Sequence, residues 1–333
     1  TSMGCASLSN CAQRQIEVKG VDVSACVERT FEYKYDGICE LCGHLYAAPF
    51  NSSVLLCFNP GTGRLRGIDV EHVASGRGKF AGICHLDGKV YAAPLNSSKL
   101  LCYNPAAGTV EGIDVCEVAT GFGKFAGICS CNGKLYAAPW NSQALLVYDP
   151  WSRTVSGVDV SAHATGLGKF RGICAHGGKV YAAPWNAPGL LRYDPKTQEL
   201  AVLDVAGVAT GDYKFSGICG LGDKLYAAPC NAPKLLAYHV GTNDASGIEV
   251  DGVATGMGKF SGICALGGKL YAAPFNAEKL LVYDPDKEEV SGIDVRAIMA
   301  GTCKFAGMCS LGDNLYTAPL NSAEILNYRP PPS

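Results

Sequence analysis

The chain has 333 residues, a formal net charge of −2 and 48% hydrophobic residues, enough for a sizeable core. With no basic excess to neutralise phosphates, nucleic acid is not expected as the main partner. No stretch approaches the roughly 18 apolar residues of a membrane helix, and no basic run leading into an apolar one opens the chain, so neither a membrane span nor a signal peptide is expected.

Taken in chain order, residues 1–12 read as a tail, 13–330 as one domain and 331–333 as a second short tail. Length alone would allow two domains, but all-β folds of this size are often single. The first β-rich run, Val18–Val23, stands alone. From Lys34 onward the chain is periodic: Lys-aromatic-x-Gly-(Ile/Met)-Cys begins at Lys34, Lys79, Lys124, Lys169, Lys214, Lys259 and Lys304, each 45 residues after the last. The sixth copy shows what one unit contains. Lys259–Cys264 is a short apolar run, followed by a turn at Leu266-Gly-Gly268. Lys269–Phe275 is a second run, turning at Asn276-Ala277. Leu280–Tyr283 is a third, closed by Asp284-Pro285, and Glu289–Val295 is a fourth. Short β-rich runs separated by Gly, Asn and Pro signals are strands, and none has the length or period of a helix. Four strands repeated at this period make a propeller blade. The seventh copy stops after its third strand, Ile325–Tyr328, and the missing fourth is Val18–Val23, which matches Val290–Val295. The sequence therefore predicts a seven-bladed, all-β propeller of four-stranded antiparallel blades, its ring closed by the N-terminal strand completing the last blade.

Gly-Lys-Leu-Tyr-x-x-Pro-x-Asn followed by Leu-Leu-x-Tyr-Asp-Pro resembles the blades of the NHL and streptogramin-lyase-like group of propellers, over the whole chain and at the level of the fold. It is less like kelch or WD40 blades, having neither a double-glycine strand nor a Trp-Asp ending. The resemblance implies that enzymes of this group use a histidine and a metal-bound site at the top of the propeller. None of those residues can be carried onto a position of this sequence, which counts against that activity.

In a propeller the first strand of each blade is innermost, and the loops at its start form the usual ligand face. The seven lysines would then ring the channel mouth, where converging positive charge would attract an anion. The competing reading is an interblade tie, since each blade also carries an acid on its outer strand: Asp22, Asp69, Asp114, Asp159, Asp204, Glu249 and Asp294. Asn51, Asn96, Asn141, Asn186, Asn231, Asn276 and Asn321 follow Pro at a strand end, where Asn caps its own turn. Asn141 and Asn186 also stand as candidate ligand contacts because Trp140 and Trp185 precede them. The residue between Pro and Asn changes from blade to blade: Phe50, Leu95, Trp140, Trp185, Cys230, Phe275 and Leu320. A fixed frame around a varying, often aromatic residue is what a recognition surface would show, although padding between blades would look the same.

Of the 17 cysteines, seven recur at one place in what reads as a buried strand. That favours free thiols acting as small hydrophobes in a reducing, intracellular compartment. Cys39-x-x-Cys42 has no second pair for zinc, and the six histidines fall at scattered offsets without metal spacing. No metal or cofactor is expected. Three functions follow: a monomeric binding or scaffold propeller presenting its top face and channel mouth to a protein or small anionic ligand; a lectin-like propeller with repeated sites; or a lyase- or hydrolase-like enzyme with one site at the channel mouth.

Overall fold

The computed structural model describes residues 17–26 and 32–331. The expected tail over 1–12 and the last two residues lie outside the described residues. The A–B turns explain why each blade begins as a tight hairpin: Asp87-Gly88 and Asn132-Gly133 both adopt positive φ at both positions, as a two-residue type I′ turn requires. From such hairpins the chain builds seven antiparallel sheets of four strands. In the first blade the strands are Tyr35–Leu41, His44–Pro49, Val54–Asn59 and Arg64–Asp69. The seventh blade is assembled from both ends of the sequence. Glu17–Asp22 pairs antiparallel with Glu324–Arg329, with Val18 opposite Tyr328 and Asp22 opposite Glu324. The ring is closed by the strand that the sequence predicted.

Each blade's first strand packs against the first strands of its two neighbours and is therefore innermost. The hydrophobic core is divided into slabs between adjacent blades. One slab joins Tyr46, Leu55 and Val70 of the first blade to Phe80, Ile83 and Leu101 of the second. Another joins Ile325 and Tyr316 to Tyr35 and Ile38 across the closing seam. Tyrosines of neighbouring blades meet within these slabs, as in Tyr46–Tyr103 and Tyr136–Tyr193, with ring centroids 5.9 and 6.0 Å apart. Such pairs add about 1 kcal/mol beyond the area they bury.

The inner strands come so close that side chains are excluded at one level. A Cβ placed on Gly82 would stand 2.5 Å from the Gly127 Cα, and one on Gly37 2.8 Å from the Gly82 Cα. Gly82 also sits in a β-bulge at φ +79°, between the register positions of Phe80 and Ile83. Gly82→Ala is expected to cost about 2–4 kcal/mol, from left-handed strain and from backbone that cannot move aside. Gly88→Ala, at positive φ but with nothing within 4 Å of its missing Cβ, is expected to cost only about 1 kcal/mol. Chemical denaturation of the two variants checks this, and equal losses would mean that the close approach is unimportant.

The repeat cysteines Cys39, Cys84, Cys129, Cys174, Cys219, Cys264 and Cys309 lie on these inner strands as free thiols. Burial pushes all seven thiols above their ordinary value of 9.0, Cys219 to about 12. The folded state therefore keeps protons that the unfolded chain loses. The stability this confers is complete below pH 9 and is lost as pH rises towards 12. From pH 7.5 to pH 10 the parent chain should lose more stability than a Cys219→Ala variant, in which the buried lysines contribute equally, and an equal loss in the two would refute the linkage.

Candidate site at the channel mouth

The face carrying the Pro-x-Asn loops is held by two sets of hydrogen bonds that run from blade to blade. The residue after each Pro donates its N–H to the lysine carbonyl of its own blade and accepts the lysine N–H of the next. Phe50 N–Lys34 O is 2.9 Å and Lys79 N–Phe50 O is 2.8 Å. The pattern repeats through every blade and closes with Lys34 N–Leu320 O at 2.8 Å. The asparagines form the second set. The Oδ1 of each accepts an N–H from the loop of the following blade, from Gly78 N–Asn51 Oδ1 at 2.8 Å round to Tyr33 N–Asn321 Oδ1 at 2.7 Å. Asn141 and Asn186 do the same for Gly168 and Tyr213, while their Nδ2 groups donate to the Phe122 and Leu167 carbonyls. The expected cap on each asparagine's own turn is instead a bridge between blades.

The seven lysines begin the inner strands at this face, but their side chains are buried, 1–8% exposed. Their ammonium groups donate to backbone carbonyls: Lys79 to Gly76 and Asn51 at 3.0 and 3.1 Å, Lys259 to Gly256 and Cys230 at 3.1 and 3.2 Å. Lys34, Lys124, Lys169, Lys214 and Lys304 make bonds of the same kind. Burial lowers each amine from the ordinary lysine value, Lys79 to about 8. Among the described residues none of these lysines pairs with an outer-strand acid. The six aspartates among those acids instead accept the N–H two residues on, as Asp69 does from Glu71 and Asp114 from Cys116, while Glu249 pairs with Lys234.

The varying residues surround the axis. Phe50, Leu95, Trp140, Phe275 and Leu320 line a cavity of about 280 Å³, together with Tyr33, Asp36, Ala81, Gly123, Ala126 and Arg171. Six of the seven blades contribute, so the cavity occupies the mouth of the channel. Trp185 lies behind it, buried, with its ring 5.5 Å from that of Trp140. Its indole N–H is buried and has no acceptor among the described residues. Phe50, Trp140 and Phe275 are thus brought together at one cavity, while Asn141, Asn186 and the lysines serve the ring around it.

The charges in this cavity are a pair that the sequence reading missed. Asp36 and Arg171 occupy one repeat position, the x of Lys-aromatic-x-Gly, where the other blades have Ala81, Ala126, Ser216, Ser261 and Ala306. The first and fourth blades face each other across the ring. The Arg171 Nη2 reaches to 3.7 Å from Asp36 Oδ2, each side chain being 19% exposed. The guanidinium also lies over Trp185, 4.8 Å from the ring centroid. One acid and one base replacing Ala or Ser in a near-perfect repeat was the signal available in the sequence. The histidines lie elsewhere. His44 borders a separate cavity of about 250 Å³ on the opposite face of the first blade, and His72 and His239 contact Val110 and Asp223. Cys39 is buried on its strand, while Cys42 is exposed in the adjoining turn at φ 51°.

Asn51→Ala breaks a bridge bonded at both ends, to Gly78 N and Glu32 O. It is expected to destabilise the fold by about 1–2 kcal/mol in urea denaturation, and a neutral effect would remove the bridge from the forces holding the ring.

No protein-family model and no curated protein sequence matches the chain. Among solved structures, virginiamycin B lyase from Staphylococcus aureus aligns at 12% identity with a TM-score of 0.78, over 95% of this chain and 100% of its own. A catalytically inactive variant of that lyase, solved with quinupristin, gives a TM-score of 0.79 at 12% identity over the same shares. A chain of the mitotic checkpoint complex aligns at 10% identity over the whole of both chains, with a TM-score of 0.70. What this chain shares with them is the closed ring of blades.

Proposed function

We propose that this propeller is a binding protein that takes one small ligand per chain at the channel mouth. The observation that carries the reading is the cavity of about 280 Å³ walled by Phe50, Leu95, Trp140, Phe275 and Leu320. Apolar walls with a few convergent polar groups are the usual form of a small-molecule site. The walls come from different blades and differ among themselves, which supports a single site rather than repeated lectin-like ones. The buried lysine amines are engaged by carbonyls, so the charge offered to a ligand is that of Arg171 and Asp36. The fold likeness to a lyase crystallised with quinupristin is consistent with a ligand-binding propeller and leaves the chemistry open. The free state of the described cysteines supports a reducing compartment as its setting.

A protein partner on the same face is the second reading. Phe122, Leu167 and Met257 stand 83%, 72% and 72% exposed on the loops that lead into the inner strands. Exposed apolar side chains on one face favour contact with another macromolecule.

Native mass spectrometry after incubation with a small-molecule extract tests the first reading. The expected result is one retained equivalent per chain. Ala126→Leu, which fills the cavity from its wall, should abolish retention while leaving the circular dichroism spectrum unchanged. Retention that Ala126→Leu leaves intact, or no retention by the parent chain, would overturn it.

A further inference from the structure

We infer that the channel mouth is built for a zwitterion: a free α-amino acid with a large apolar or aromatic side chain, its carboxylate on Arg171 and its ammonium on Asp36. The inference rests on the mouth being a ligand site, and it departs from the anionic ligand expected from sequence.

The argument begins with how poorly the two charges satisfy each other. Their closest N···O distance is 3.7 Å, outside hydrogen-bonding range. Charge-assisted pairs close to about 2.7–2.9 Å and are frequently bidentate when arginine is the donor. Among the described residues no other hydrogen bond is made by either side chain, although each is mostly removed from solvent. Arg171 keeps its guanidinium carbon over the Trp185 ring, which steadies the group without using its N–H donors. Five donors and a carboxylate with two acceptor oxygens are therefore held at a cavity with most of their capacity unspent.

Electrostatics then selects the occupant. An anion that takes Arg171 brings its charge against the Asp36 carboxylate a few ångströms away. A cation that takes Asp36 meets Arg171 in the same manner. In a cavity with apolar walls neither repulsion is well screened. A molecule bearing both charges close together avoids both conflicts by lying alongside the pair, giving each protein group an opposite partner. An α-amino acid carries its ammonium and carboxylate one carbon apart, matching two protein charges that already face each other. The apolar walls, Phe50, Trp140 and Phe275 among them, are left for its side chain. A volume of about 280 Å³ suits one molecule of this size, at the small end of ligand cavities.

Isothermal titration calorimetry with L-phenylalanine and its blocked forms tests this. N-acetyl-L-phenylalanine is an anion only, L-phenylalaninamide a cation only, and N-acetyl-L-phenylalaninamide neutral. L-phenylalanine should bind one per chain, and each blocked form about tenfold or more weaker, because a desolvated charge is left unpaired. Asp36→Asn should erase the preference over the N-acetyl form, and Arg171→Gln the preference over the amide. If either variant fails to fold, the analogue series on the parent chain decides alone. Tighter binding of the acetylated acid would make this an anion site, and tighter binding of the amide a cation site. Equal binding of the neutral form would show that charge is unused. Each of these outcomes overturns the zwitterion while sparing the ligand-site reading. Absence of binding by the whole series also overturns it, whereas the ligand site itself falls only on the retention and Ala126→Leu result.

Discussion

Seven strands can converge on one axis only if their backbones are allowed to touch, and that contact sets the terms for the rest of the molecule. At Gly37, Gly82, Gly127 and their counterparts the neighbouring inner strand lies where a Cβ would be. No side chain is tolerated at this level, so the channel narrows to backbone. Directly above, the strands part enough to admit one side chain each, at the position held by Asp36, Ala81, Ala126, Arg171, Ser216, Ser261 and Ala306. Most blades fill it with Ala or Ser and so leave room. The cavity at the mouth is a by-product of packing seven backbones together and then withdrawing side chains from the next layer.

The same constraint divides the repeat into residues that cannot vary and residues that can. Each lysine and asparagine spends its polar groups on the backbone of its own or the adjoining blade, so changing one leaves carbonyls or N–H groups without partners in a buried setting. The side chain after each Pro is under no such obligation, because its role in the ring is carried by its N–H and carbonyl. Leu95, Trp140 and Cys230 can therefore occupy equivalent places. At the mouth, individuality shows at two positions, the one before the inner-strand glycine and the one after Pro. A ring with seven identical supports can in this manner carry one site with no symmetry.

Much of the architecture was legible in the sequence because its signals are local and repeated. The 45-residue spacing, the Gly-containing turns and the likeness of Val18–Val23 to Val290–Val295 led to seven blades and to the closing strand. The lysines were harder to read. Sequence pattern reveals side-chain partners such as the outer-strand acids, but the acceptors proved to be carbonyls of Gly76, Gly121 and Gly166, which every residue possesses. The mouth aromatics were legible as a varying position, though their convergence on one cavity was not. The Asp36–Arg171 pair went unread because the two lie three blades apart, and only the curvature of the ring brings them face to face. Within a single copy each looked like an ordinary substitution at an unconstrained place.

The composite seventh blade bears on how such a chain acquires its structure. Glu17–Asp22 finds its partner only when Glu324–Arg329 has been synthesised, and Asn321 reaches Tyr33 at the same late moment. During vectorial synthesis six blades are already competent to form, yet the assembly keeps two unpaired strand edges open to other chains. The entropy of joining such distant segments grows only with the logarithm of their separation, so the late closure is affordable. Its hazard lies in timing: until the seam zips, a neighbouring nascent chain offers the same missing strand, and exchange between copies competes with closure.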